Sequence, residues 1–391
     1  GLARGFDAYS EAMMGHDLVQ MDSQWSRFRS ELLLWVFKNK LQQRVDSSLV
    51  VTTARGWLRE HKGKRWMAMV HLYSTHTPYD PPKNYKQPYL DPTYSGPFSS
   101  FYAEHRYALE RGDYEPTAAD VQRIRDLYMA GAAQADAQIG ELMAEIEELG
   151  MLDETLVILT SDHGEDLGEW RGIGVKGREQ ATRIWEHNHM WQTNLRVPLI
   201  LANTRLLPHG KRVQELVESV DLMPTLCELM GLELPVEDGE LKPEIDGQSL
   251  VPLMLGAQRG ESASTWNKPY TFSENGLFFV VQSAKHKLIV PRFLLKENDP
   301  TQLFDGEKWV RFYDLTISEA EENNDLEPDD PRVLELWNAL WQYNESMPEA
   351  DYILTERDLD MAELFNALGY NEAIDPALLE AASKGAEPGS E

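Results

Sequence analysis

The residues from Val157 to Gly168 combine an apolar run with a carboxylate, an imidazole and a glycine. The β-branched and aliphatic start of this run predicts a buried strand, and its polar residues follow where the strand ends. Ligand sites in open α/β sheets lie at such strand ends. Asp162 and a neutral His163 could offer an oxygen and a nitrogen to one divalent cation. The alternative is a strand-to-helix turn, with Asp162 as N-cap and Gly164 for backbone freedom. These residues alone do not decide between the two interpretations.

Three apolar segments predict the core strands that would position this site, at residues 66–72, 155–160 and 197–202. Strands that are apolar throughout are typical of a parallel sheet covered on both faces. A long helix is predicted between the first two strands, and a strand–helix–strand order is typical of a doubly wound sheet. We therefore expect an α/β fold with a mostly parallel sheet sandwiched by helices.

The helices have sequence signals at their ends. Thr117 and Asp120 predict a capping box at the start of the long helix, and Gly150 predicts its end. A second helix is expected over about 214–230. The segment 171–186 is interpreted either as a mobile loop at the mouth of a pocket or as a surface insertion.

From about Tyr270 the pattern changes to short β-rich pieces separated by turns, which predicts a small antiparallel sheet. A helix is expected to follow at about 332–343. The predicted organisation is an α/β domain over 1–268, an α+β subdomain over 269–345, and a helical segment with a flexible tail over 346–391.

The net charge of −28 disfavours nucleic acid as a partner, because such binders usually present a basic face to the phosphates. Part of the negative charge is concentrated in residues 319–330, where seven of twelve residues are acidic, and we interpret this run as a solvated surface loop. The longest aliphatic and aromatic run, residues 32–37, is too short to span a bilayer, so no transmembrane segment is expected in this chain.

Several segments resemble segments of the sulfatase branch of the alkaline phosphatase superfamily, and they occur along the chain in the order that the family shows. The most specific is Thr-Ser-Asp-His-Gly-Glu at 160–165, and the resemblance extends over nearly the whole chain. The other matching segments are residues 5–9, 71–82, 196–200, 220–226, 246–250 and 312–315, with 322–326 behind the last. The resemblance implies an alkaline phosphatase-like fold and a sulfuric ester hydrolase that acts on small-molecule or saccharide sulfate esters. It also implies a periplasmic or secreted location.

The resemblance assigns roles to individual residues. It makes Asp162 and His163 the ligands of a divalent cation, with Ca²⁺ favoured and Mg²⁺ or Mn²⁺ left open, because a nitrogen ligand is unusual for the hardest cations. His76 would contact and polarise the sulfate group. His187 lies nine residues before Arg196, where the family places a side chain that binds sulfate or protonates the leaving oxygen, and His189 is the reserve for that role. His71, closer to the predicted strand, is expected to be buried and structural.

The sequence also departs from the family pattern. It lacks the Cys/Ser-x-Pro/Ala-x-Arg motif that is converted to formylglycine, and it lacks the pair of adjacent aspartates that in the family lies near the N-terminus and supplies further metal ligands. Cys227, the only cysteine, lies in an apolar helix-like run and is interpreted as a buried structural thiol. By resemblance the chain is expected to be a truncated sulfatase that, alone, binds metal weakly, lacks activity and is marginally folded.

Two alternatives to a sulfatase stay open at this point. The first is a phosphonate monoester or phosphodiester hydrolase of the same superfamily, which shares the Asp-His-Gly motif. The second is a non-catalytic protein that binds an anion or a sugar. The joint presence of Asp162, His163, His76 and His187 disfavours the second alternative, and we expect these four residues to converge in one cleft.

Overall fold

The computed structural model describes residues 47–110, 112–171, 183–187, 190–232, 247–259, 266–275, 278–296, 298–304, 310–317, 321, 327 and 329–347. The helices are α1 (Ser47–Glu60), α2 (Lys83–Lys86), α3 (Ala103–Glu110), α4 (Ala118–Glu148), α5 (Gln192–Leu195), α6 (Leu222–Met230), α7 (Val251–Arg259) and α8 (Pro331–Ser346). The strands are β1 (Val157–Thr160), β2 (Asp166–Arg171), β3 (Arg183–Glu186), β4 (Leu199–Ala202), β5 (Thr271–Glu274), β6 (Phe278–Gln282), β7 (His286–Pro291) and β8 (Arg311–Asp314). Within the described ranges, no helix combines the length and the apolar character that crossing a bilayer requires.

The chain divides into two compact units. The first consists of Gly1–Val157, Asp166–Ile173 and Gln180–Glu186, and the second of Ile158–Glu165, Gly174–Glu179 and His187–Glu391. The domain boundaries expected near residues 268 and 345 stay a prediction.

The long helix α4 organises the first unit, and its predicted ends are confirmed. Thr117 Oγ1 accepts a hydrogen bond from Asp120 N at 3.2 Å, and Asp120 Oδ2 accepts one from Thr117 N at 2.9 Å, which completes the capping box. Gly150 follows the helix with φ of 71°, a left-handed conformation that suits glycine. Capping at both ends satisfies backbone groups that a helix cannot pair internally.

Helix α4 also supports the loop that carries His76. A Cβ on Gly131 would lie 2.3 Å from the carbonyl oxygen of Ser74, so only glycine allows the backbone of the loop to approach the helix this closely. Ser74 Oγ donates to Gln138 Oε1 at 2.9 Å. Below the loop, an aromatic and aliphatic core includes the buried Tyr79, Phe101 and Ile124.

The strand predicted at 66–72 is not present, and its prediction was wrong. The segment forms no regular secondary structure, and Met67 and Met69 are 60% and 64% exposed. An apolar sequence becomes a strand only when a neighbour pairs with its backbone, and no described strand pairs with these residues. His71 is likewise exposed rather than buried.

Strands β1 and β4 confirm the strands predicted near residues 155–160 and 197–202, and they form a two-stranded sheet. The side chains of β1 are half-buried or exposed and Ile200 of β4 is 55% exposed, so the expectation of cover on both faces was wrong for these strands. The doubly wound parallel sheet stays a prediction.

The helix predicted over 214–230 is shorter than expected. Helix α6 begins at Leu222, after a 3₁₀ turn at Ser219–Asp221, because Glu218 is extended and forms a capping box with Asp221. Cys227 is a buried free thiol on this helix, as predicted.

Strands β5, β6, β7 and β8 form an antiparallel sheet in that order, which confirms the small sheet predicted after residue 270. Helix α8 begins after Asp330, whose side chain accepts from Arg332 N, and packs on β6 and β7. The core between them contains Leu288, Phe312 and Trp337, each fully buried or nearly so.

The acidic run at 319–330 is not uniformly solvated, which corrects its interpretation as a surface loop. Glu321 is 2% exposed, and its carboxylate lies 2.6 Å from the ammonium group of Lys287, which is fully buried on β7. A carboxylate is buried at such a position because a cation and hydrogen-bond donors replace its water.

Near the start of α4, the Asp120 carboxylate is almost fully buried. Burial alone would raise the pKa of Asp120, but hydrogen bonds from Tyr114, Tyr94 and Thr117 lower it to about 2. Tyr94 OH donates to Oδ1 at 2.6 Å, and Tyr114 OH donates to Oδ2 at 2.5 Å. The charged form of Asp120 is therefore the one that the folded state stabilises.

We expect Asp120→Asn to lower the free energy of unfolding by about 2 kcal/mol near pH 7, the scale of hydrogen bonds to a charged group. The folded pKa lies below the ordinary 3.8, so this stability is present above about pH 4 and is lost as the pH falls towards about 2. Urea unfolding at several pH values would measure the difference. Asp136→Asn, at an exposed position of the same helix, is the control. A loss that stays constant down to pH 2 would contradict the assignment.

Candidate metal and anion site

The polar residues after β1 form a turn that leads into another strand. Residues 161–165 connect β1 to β2, so Asp162 does not cap a helix, and the strand-to-helix alternative is wrong. Ser161 Oγ donates to the carbonyl oxygen of His163 at 2.6 Å, and His163 N donates to Asp162 Oδ1 at 3.0 Å. These local hydrogen bonds hold Asp162 and His163 side by side at the end of the strand.

The turn is attached to helix α5 through the main chain. Gly164 N donates to Asn194 O at 2.8 Å, and Glu165 N donates to Thr193 O at 3.0 Å. A Cβ on Gly164 would lie 1.9 Å from Thr193 O. Position 164 therefore needs glycine because two backbones approach each other there.

His187, which follows β3 in the sequence, lies beside Glu165, the last residue of this turn. Asp166 pairs with Glu186 at the end of the antiparallel ladder. The next residues outward, Glu165 and His187, therefore emerge beside each other, and His187 Nδ1 lies 3.7 Å from Glu165 Oε2. Residues 171–186 thus include paired strand residues rather than only a loop, while 172–182 lie outside the described residues.

His163, Glu165 and His187 form the cluster that we call the His–Glu cluster. One potential ligand atom of each residue lies within 4.8 Å of the others. The rings of His163 and His187 stack, with centroids 3.8 Å apart and planes 24° apart. The Glu165 side chain is 5% exposed, whereas those of His187 and His163 are 19% and 32% exposed. The cluster is therefore shielded on the Glu165 side and accessible at the histidines.

The hydrogen bonds of His163 indicate which of its nitrogens suits a cation. Its Nδ1 lies 2.8 Å from Gly164 O, and because a carbonyl only accepts, we assign the proton to Nδ1. The lone pair of the neutral ring is then on Nε2, which lies 3.7 Å from Asp162 Oδ2. A ring N–H bound to a backbone carbonyl is typical of metal-ligating histidines.

The structure brings only some of the predicted site residues close to one another. The structure stacks His163 on His187 and holds Asp162 beside His163, whereas His76 belongs to the first unit, so convergence of all four stays a prediction. In its own unit, His76 has Nδ1 2.7 Å from Thr77 O and its backbone N–H 3.1 Å from Tyr73 O. His189 lies outside the described residues.

Sequence reasoning missed Glu165 as a member of the site. Glu165 lies 3.7 Å from His187 in the folded chain, but the two residues are distant in the sequence, so no local pattern predicts their contact. The available signal was a third potential ligand directly after the Asp-His-Gly motif.

Comparison with known proteins gives a consistent family. A family sequence model described as Sulfatase matches residues 3–232. Choline-sulfatase of Rhizobium meliloti (strain 1021) is 34% identical over 149 residues, which are 38% of this chain and 26% of that protein. Steryl-sulfatase of Mus musculus is 38% identical over 142 residues, 35% of this chain and 22% of that protein. The matched segment thus spans about a quarter of the length of these relatives.

The fold is shared with a solved structure. BT4656, in complex with its substrate D-glucosamine-2-N,6-O-disulfate, superposes with a TM-score of 0.59 at 17% sequence identity. The superposition covers 89% of this chain and 78% of the other. At this identity the likeness concerns the fold.

We expect Gly164→Ala to lower the free energy of unfolding by about 1–3 kcal/mol, the cost of forcing a methyl group into a packed site. The new Cβ must displace Thr193 O, so the hydrogen bonds of Gly164 and Glu165 would lengthen. Gly140→Ala is the matched control, because a Cβ there meets nothing within 4 Å and the position is helical. Chemical denaturation of the three proteins measures both changes. A Gly164→Ala protein as stable as Gly140→Ala would refute the close approach.

Proposed function

The chain belongs to the sulfatase family, and we propose that it carries the cation- and sulfate-binding part of a sulfuric ester hydrolase. The overall reaction converts a sulfate monoester and water into an alcohol and sulfate. The observation that supports this assignment is the His–Glu cluster at the end of β1, next to Asp162. Hydrolysis of a sulfate ester requires positive charge near the sulfuryl oxygens and a proton for the leaving oxygen. The site offers potential ligands for a cation and a histidine that could donate the proton.

We propose that Asp162 and His163 hold a divalent cation, with Glu165 as a neighbouring carboxylate. The donor set fits such an ion, because it combines carboxylate oxygens with an imidazole nitrogen. The family resemblance favours Ca²⁺, whereas the imidazole favours Mn²⁺ over the oxygen-preferring Ca²⁺ and Mg²⁺. When bound, the cation would polarise the sulfate group.

His187 is proposed to bind the sulfate group or to protonate the leaving oxygen. Imidazole suits proton transfer near neutrality, and Nδ1 of His187 lies 3.7 Å from the Glu165 carboxylate. His76 is proposed to contact the sulfate group, and His189 is the reserve for His187.

The nucleophile is proposed to be a formylglycine upstream of residue 1 in the full-length protein. The sequence contains no Cys/Ser-x-Pro/Ala-x-Arg motif, and buried Cys227 on α6 does not belong to one. The residues of this chain would then bind, orient and protonate, while the covalent step depends on the upstream segment.

The proposed substrates are small-molecule or saccharide sulfate esters. The names of the relatives cover choline, sterol and aryl sulfates, and BT4656 is described with a sulfated glucosamine. We also propose a periplasmic or secreted location on the family resemblance.

The cation is tested by activity and binding together. We expect chelator-treated full-length protein to lose hydrolysis of 4-nitrophenyl sulfate and to recover it when Ca²⁺, Mg²⁺ or Mn²⁺ is added, with the preferred ion restoring most. Asp162→Ala should abolish both this recovery and calorimetric binding of that ion. Full activity after chelation, or unchanged binding in Asp162→Ala, would contradict the proposed site.

Faster hydrolysis of an aryl phosphodiester than of the aryl sulfate would favour the phosphodiesterase alternative.

The role of His187 is tested by changing the leaving group. If His187 donates the proton, His187→Asn should lower kcat on an alkyl sulfate by about 10²–10⁴-fold. The loss should be much smaller with 4-nitrophenyl sulfate, because its leaving group departs as a stabilised anion. His209→Asn, at an exposed histidine of the same unit, is the control. Equal losses on both substrates would instead indicate a role in sulfate binding.

A further inference from the structure

A buried ion pair in the second unit connects the C-terminal sheet to the start of α5. Lys287 Nζ donates to Glu321 Oε1 at 2.6 Å, and both side chains are 0% exposed. The backbone N–H of Gln192 donates to Glu321 Oε2, also at 2.6 Å. Glu321 has a φ of 54°, a left-handed conformation that residues with a Cβ rarely adopt. One carboxylate therefore joins a buried cation to the first amide of a helix.

Two further hydrogen bonds attach the same end of α5 to the sheet. Gln192 Nε2 donates to Gln282 Oε1 on β6 at 2.7 Å, and Trp191 Nε1 donates to Tyr313 OH on β8 at 3.0 Å. Burial raises the pKa of Tyr313 to about 12, so this hydroxyl stays neutral at physiological pH. The start of α5 is thus held from β6, β7 and β8.

Helix α5 in turn holds the turn that carries His163 and Glu165. Its Thr193 and Asn194 carbonyls accept the hydrogen bonds of Glu165 N and Gly164 N. A continuous path of short contacts therefore leads from Lys287 through Glu321 and α5 to the His–Glu cluster.

We propose that Lys287 and Glu321 are positioning residues for the His–Glu cluster, an inference that rests on the proposed function of that cluster. A buried ion pair is weak evidence for stability, because desolvation of its two charges offsets their attraction. Its hydrogen bonds are directional, however, and they fix which amide meets the carboxylate. Here that amide begins the helix on which the turn rests, so the pair sets the position of the turn.

Two double variants separate the hydrogen bond to Gln192 from the two charges. Lys287→Met with Glu321→Gln (the Gln double variant) removes both charges but keeps an oxygen that can accept from Gln192 N–H. Lys287→Met with Glu321→Leu (the Leu double variant) removes that acceptor as well. Lys285→Met, an exposed lysine between β6 and β7, is the control.

Hydrogen–deuterium exchange of the metal-free chain measures how well the amides of the turn are protected. Helix α6 of the same unit serves as the internal reference. In the Leu double variant, we expect the amides of Gly164 and Glu165 to exchange at least about tenfold faster relative to α6. In the Gln double variant and in Lys285→Met, we expect rates within about twofold of the unmodified chain. A purely structural pair would change exchange in α6 and in the turn together. Equal rates at Gly164 and Glu165 in both double variants would overturn the inference.

Titration with Mn²⁺ adds a functional readout. We expect the Leu double variant to bind Mn²⁺ about 10–100-fold more weakly than the Gln double variant, the usual effect of losing support behind metal ligands. If the unmodified chain binds no Mn²⁺, the proposed cation site fails while the exchange result still decides the positioning role. If the Leu double variant does not fold, Gln192→Pro and Gln192→Ala take its place, since Pro at the first helical position removes the N–H that donates to Glu321 and Ala keeps it. Equal exchange at Gly164 and Glu165 in Gln192→Pro and Gln192→Ala would then contradict the inference.

Discussion

The geometry of the candidate site depends on the main-chain contact between the turn after β1 and helix α5. Two backbone hydrogen bonds, from Gly164 and Glu165 to Asn194 and Thr193, hold the turn at a distance that no Cβ would allow. His163 lies directly before these residues, and its ring stacks on His187 at the end of the β2–β3 ladder. Rigid main-chain support of this kind lets short side chains present ligand atoms at fixed separations.

Local signals in the sequence predicted the elements whose ends they mark. Thr117, Asp120 and Gly150 define the ends of α4 because capping is a matter of residues a few positions apart. The antiparallel sheet after residue 270 was predictable for the same reason, since its strands are short and separated by turns. The segment 66–72 shows the limit of such reasoning, because an apolar composition does not supply the neighbour that a strand requires.

The parts of the site that sequence reasoning missed depend on contacts between distant residues. Asp162, His163 and His187 were predicted from a motif and a spacing, but Glu165 belongs to the cluster through its contact with His187, a residue distant from it in the sequence. Glu321 belongs to an acidic run whose average character is that of a solvated loop, yet its partner Lys287 lies 34 positions earlier on β7. Composition describes the run as a whole and cannot single out one buried member.

The main-chain nature of the contact at α5 has a consequence for how this site can vary between related proteins. Thr193 contributes its carbonyl oxygen to the turn, so this hydrogen bond itself does not require a particular side chain at position 193. Position 164 does not tolerate substitution, because any side chain there collides with the Thr193 carbonyl oxygen. Substitution at position 193 can therefore leave this main-chain contact in place, whereas substitution at position 164 disrupts it.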